Sequence, residues 1–102
     1  MKKYIIYIGL NDQHTRRQEV NTLDAYKIAT NVFATHTGGA TITEARGVYT
    51  HDDGQIITES TLRCEVFGAD LESIERAVTI LKDAFNQESV AVEEADVKSY
   101  FK

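Results

Sequence analysis

The sequence predicts an α+β domain of the ferredoxin-like, split βαβ kind. That fold is a four-stranded antiparallel sheet of order 4-1-3-2 with two helices on one face. Three observations carry the prediction. Strand-like and helix-like segments alternate as β-α-β-β-α-β. An Asp53-Gly54 pair, a strong hairpin signal, joins the two middle strand segments. Leu71, Ile74, Val78, Leu81 and Phe85 recur every three or four residues, as one face of a helix requires.

Each element has a local reason. Tyr4-Ile5-Ile6-Tyr7-Ile8 is β-branched and aromatic and ends at Gly9, so it reads as a strand. The polar stretch Asn11 to Val20, with Arg16 and Arg17, reads as a loop. Asn21 or Thr22 caps the first helix, Asp24 completes a capping-box variant, and Ala25, Ile28, Ala29, Val32 and Phe33 form its apolar stripe. Gly38-Gly39 ends it. Ala40–Tyr49 and Gln55–Phe67 are the hairpin arms, joined by a tight turn at His51-Asp52-Asp53-Gly54. Ile42 and Ala45 fall out of phase, which predicts a bulge near Thr43–Glu44. Asp70 caps the second helix, and Ser89–Glu93 is the last strand, followed by a charged tail from Glu94 to Lys102.

The 102 residues suit one domain, 1–102, with no Pro/Gly/Ser-rich linker and no repeat. No apolar run approaches the roughly 20 residues of a membrane span, and the N-terminus turns polar too soon for a secretion signal. A single cysteine excludes an internal disulfide and two-cysteine metal sites, and fits a reducing, cytoplasmic address. No metal and no cofactor is expected.

Charge divides the chain unevenly. Residues 1–51 carry six Lys/Arg against four Asp/Glu, and residues 52–102 five against twelve, which gives the net −5. An acidic half repels phosphate, so direct nucleic-acid binding is not expected and a basic protein surface is the better partner. Asp52, Asp53, Glu59, Glu65, Glu93, Glu94 and Asp96 are the candidate partner-binding carboxylates. Strand alternation turns Ile6, Ile8, Leu62, Cys64, Val66, Val90 and Val92 toward the helices. It leaves Ile5, Tyr7 and Phe67 as an apolar patch on the open face, suited to a second copy or a partner. A homodimer is therefore expected, unless the tail with Tyr100 and Phe101 covers that face.

No catalytic constellation stands out. His14, His36 and His51 lack metal-ligand spacing, and Cys64 alternates with aliphatics and should be buried and inert. Glu44, Glu59 and Glu65 lie on the hairpin strands, where paired carboxylates could work as acid and base, but solvent-facing positions explain them equally. RNA-recognition motifs share the topology, yet the third strand carries Glu65 and no Gly-Phe-Gly-Phe pattern. The sequence alone therefore predicts a protein that is not an enzyme.

Tyr4 to Asp12, Thr41 to Tyr49 and Asp53-Gly54 to Leu62 together resemble a group of small ferredoxin-like proteins carried on bacterial phages and other mobile elements. The resemblance carries over no catalytic residues. It implies an inhibitor of host defence, specifically a type II-A anti-CRISPR protein, whose carboxylates occupy a basic nucleic-acid channel. The alternative reading is a dimeric small-ligand sensor or regulatory module.

Overall fold

A computed structural model describes residues 1–102 and places six elements in the expected order. They are β1 (Lys2–Gly9), α1 (Thr22–His36), β2 (Thr41–Thr50), β3 (Ile56–Phe67), α2 (Leu71–Ala84) and β4 (Ala91–Asp96). The strands form one antiparallel sheet ordered β2-β3-β1-β4, the ferredoxin-like arrangement. Both caps form as their residue types dictate. The Asn21 side chain accepts from the Asp24 N–H at 2.9 Å, and that of Asp70 from the Ser73 N–H at 2.7 Å.

One sheet face supplies Tyr4, Ile6, Ile8, Leu62, Cys64 and Val66 to the core. The helices answer with Ala25, Ala29 and Phe33 from α1, and with Ile74, Ala77 and Leu81 from α2. Each large side chain buried here contributes about 2 kcal/mol of hydrophobic stabilisation. The small alanines lie in the core where α1 and α2 pack against one another.

Three expectations need correction. No bulge exists in β2, because its register with β3 runs unbroken from Thr41↔Glu65 to Thr50↔Ile56. Ile42 faces the helices and Ala45 the open face, so the missing alternation reflects an exposed edge strand that mixes polar and apolar residues on both sides. β4 starts later than Ser89 and runs into the supposed tail, where Lys2 lies opposite Asp96 with Nζ–Oδ1 at 3.0 Å. The Tyr4 hydroxyl also donates to Glu94 at 3.0 Å. Finally, Ile5 is only 9% exposed although it sits on the open face, which removes it from the expected apolar patch. Tyr7 is half-buried there, and Phe67 remains exposed beneath the Lys3 ammonium, 5.7 Å from its ring centroid.

The tail leaves much of the open face uncovered: Tyr100 and Phe101 are themselves 72% and 86% exposed, with Phe101 near Glu65 and Phe67. No helix is long and apolar enough to cross a membrane.

Candidate functional site

At the end of the open face where β1 finishes, Glu59 projects from β3 into space that two glycines leave free. Gly47 lies directly opposite Glu59 on β2. A Cβ at Gly47 would come within 2.9 Å of Thr61 Oγ1. A Cβ at Gly9 of β1 would overlap the Glu59 carboxylate itself. A side chain at Gly9 would therefore displace the carboxylate, whereas one at Gly47 would press on Thr61 and meet Glu59 Cγ at an ordinary contact distance of 3.6 Å. Its Oε2 accepts from the Asn11 N–H at 3.0 Å, just past the end of β1.

Around this carboxylate opens a polar cleft of about 300 Å³, at the lower bound for small-molecule sites. Three segments line it: the loop after β1 (Asn11, Asp12, Gln13, Arg16), the hairpin (Tyr49, His51, Glu59) and the α2–β4 connection (Gln87, Glu88, Ser89). Polar side chains lock the first and third together. Gln87 Nε2 donates to the Asn11 carbonyl at 2.5 Å, and Asn86, left-handed at φ 47°, donates from Nδ2 to Asp12 Oδ2 at 3.0 Å. Gln13 Nε2 returns a bond to Asn86 Oδ1 at 3.0 Å. The other Asp12 oxygen accepts from the backbone N–H groups of His14 and Thr15. These donors, Thr15 first, hold the Asp12 carboxyl below the usual aspartate range.

At the outer rim His51 Nδ1 lies 3.5 Å from Asp53 Oδ1 without forming a hydrogen bond, and Arg16 lies 3.7 Å from Asp53 Oδ2. The Gln55 N–H, and less strongly His51 and Arg16, keep Asp53 readily ionised. Burial pushes the Cys64 thiol up to about 12, which leaves it un-ionised and unreactive. No three His, Cys, Asp or Glu side chains gather as a metal site.

The seven candidate carboxylates fall in several places. Asp52 and Asp53 sit at the hairpin tip, and Glu59 lies in the cleft. Glu65 is on the open face between Arg63 (2.7 Å) and Lys3 (3.9 Å). Glu93 is near the Tyr7 hydroxyl at 3.5 Å, and Glu94 and Asp96 pair with Lys2. Nor do Glu44, Glu59 and Glu65 cluster. Glu44 points to the helix side beside Tyr26, and Glu65 is six residues from Glu59, about 20 Å along an extended strand. Sequence reading named Glu59 but missed Asn11, Arg16, Tyr49 and Gln87. The available signal was Gly47, a glycine inside a strand, which marks a close approach.

No protein-family profile matches the sequence, and no curated protein sequence does. Solved structures do. The chain is similar to a phage SAM lyase in complex with S-methyl-5′-thioadenosine, at 24% identity and TM-score 0.71, over 93% of this chain and 80% of that one. The same comparison with a phage SAM lyase in its apo state gives 27% identity and TM-score 0.65, over 92% and 78%. CutA from Xylella fastidiosa shares the fold at 16% identity and TM-score 0.63, over 97% and 86%. The expectation of a protein that is not an enzyme is overturned here. The lack of a recognisable catalytic motif does not exclude chemistry, since an enzyme uses this fold over nearly the whole chain.

Two outcomes test the site. Gly9→Ala should displace only the flexible end of Glu59, so melting should stay within about 4 °C of the unaltered protein. The Asn11 amide resonance should meanwhile shift as its carboxylate partner leaves. An unfolded variant, or an unmoved Asn11 amide, would contradict the cradle. Because the native value of Asp12 is lowered, its stabilisation is complete above the ordinary 3.8 and disappears as pH falls through the native value. The His14 and Thr15 amide protons should therefore titrate with a midpoint below 3.8, and Asp12→Asn should abolish that titration.

Proposed function

We propose that the protein is a lyase that binds S-adenosylmethionine in the Glu59 cleft and breaks its sulfonium carbon–sulfur bond. The observation that carries the reading is the glycine-flanked Glu59 carboxylate in a nucleoside-sized cleft, on a fold shared with a phage SAM lyase. Three carboxylates line the cleft, Asp12, Glu59 and Glu88, against the single cation Arg16. That balance suits a ligand with two cationic groups, a sulfonium and an ammonium, and one carboxylate. Tyr49, 45% exposed at the rim, offers an aromatic face to the adenine ring.

The chemistry asks little of the protein. One oxygen of the substrate's own carboxylate attacks its Cγ, a C–O bond forms as the Cγ–S bond breaks, and the electron pair goes to sulfur. S-methyl-5′-thioadenosine and homoserine lactone result, with no water consumed and no proton moved. Positive charge on sulfur disappears in this step, so a carboxylate pressed against the sulfonium would favour the ground state and slow it. Glu59 therefore serves better as acceptor for the ribose hydroxyls or the ammonium. The protein's contribution is to hold the methionine chain folded, with nucleophile and Cγ aligned.

An inhibitor that fills a basic channel would need its carboxylates on one face, whereas Glu65, Glu94 and Asp96 already face cations. The small-ligand sensor reading needs only the cleft, and separates from the lyase by turnover. A phage setting accords with the phage lyases. Assembly belongs to the proposal too. With Ile5 buried, the better contact between copies is the unpaired outer edge of β2 beside Val48 (67% exposed) and Ile56 (74%).

Incubation with S-adenosylmethionine should yield S-methyl-5′-thioadenosine and homoserine lactone, and Glu59→Gln should slow this at least about 100-fold. Binding without turnover would favour the sensor, and an unaffected Glu59→Gln would remove the site. By sedimentation the protein should exceed a monomer's mass, and Val48→Lys with Ile56→Lys should return it to one. A monomeric unaltered protein would contradict the contact.

A further inference from the structure

The loop after β1 holds an arginine where its backbone would prefer glycine. Asn11 and Gln18 bridge its ends, the Asp12 N–H donates to the Arg17 carbonyl at 2.9 Å, and the Arg16 N–H donates to the Asp12 carbonyl at 2.8 Å. Arg16 closes this turn at φ 58°, in the left-handed region where a Cβ is unfavourable and glycine or asparagine is the usual occupant. Strain retained at such a position points to a side chain with work to do.

That side chain is lightly held. Its guanidinium is half-exposed, and its ionic neighbour, Asp53, lies at 3.7 Å, beyond hydrogen-bond range and equally exposed. Exposed pairs of this kind contribute little stability. Arg16 is also the one lysine or arginine that lines the Glu59 cleft. It can therefore exchange Asp53 for an anion entering the cleft without leaving a buried charge behind. A guanidinium takes a carboxylate in a planar, directional pair, commonly through both oxygens, so it would hold the carboxylate in one orientation.

We propose that Arg16 recognises the α-carboxylate of the amino-acid part of the ligand. It is thereby the residue that separates the amino-acid-bearing nucleoside from the carboxylate-free thionucleoside product. This rests on the lyase reading of the same cleft, and it adds how product leaves: losing the carboxylate removes the Arg16 contact.

The test is calorimetric binding of S-adenosylhomocysteine, which keeps the carboxylate, and of S-methyl-5′-thioadenosine, which lacks it. Arg16→Gly should weaken the first at least about tenfold, the size of one charge-assisted contact. The second should change less than about twofold, and Arg16→Lys should restore part of the loss. The glycine variant should melt no lower than the unaltered protein, since it relieves the left-handed strain. Equal loss for both ligands, or loss for neither, overturns the role of Arg16 and leaves the lyase reading standing. Failure of the unaltered protein to bind either ligand overturns both.

Discussion

The site depends on the accommodation of one carboxylate at the end of a sheet. An extended strand gives Glu59 neighbours on both sides, and side chains on β1 and β2 would ordinarily occupy the surface it needs. Gly9 and Gly47 leave that surface empty, and the Asn11 N–H fixes where the carboxylate rests. The loop that supplies this N–H is in turn tied to the α2–β4 connection by Gln87 and Asn86. A charged group is thus held in a defined place by backbone geometry and neutral polar groups rather than by a counter-ion.

Such a site suits chemistry in which the substrate supplies its own nucleophile. Hydrolases and transferases announce themselves through a base beside a nucleophile or a set of metal ligands, because the protein must move protons or polarise bonds. Intramolecular displacement at a sulfonium needs neither. Its barrier falls when the chain is folded correctly and water is kept from competing, and that leaves binding residues but no motif. The absence of a catalytic constellation in the sequence is therefore compatible with an enzyme.

What could be read from the residues follows the range of the forces involved. Asn21, Asp70 and Asp53-Gly54 act within a few positions of themselves, so helix starts and the hairpin were legible. The alternation that buries Ile6, Ile8, Leu62, Cys64 and Val66 was legible too. The end of β4 was not, because its charged residues become strand only by pairing with Lys2, more than ninety positions away. Alternation puts Ile5 on the open face but does not show that it is buried there. Charge and strand position single out Glu59 in the sequence. Its significance needs Gly9 and Asn11 from the end of β1 and Gln87 from the α2–β4 connection, two stretches distant from it in sequence.

The central claim is that this cleft receives a nucleoside against Glu59. A crystal structure with S-methyl-5′-thioadenosine at saturating concentration tests it most directly. The account predicts the thionucleoside between the loop after β1 and the hairpin, its ribose hydroxyls within hydrogen-bond distance of the Glu59 carboxylate and its adenine against Tyr49. A thionucleoside bound elsewhere, with the space between Gly9 and Gly47 holding only solvent, would contradict it.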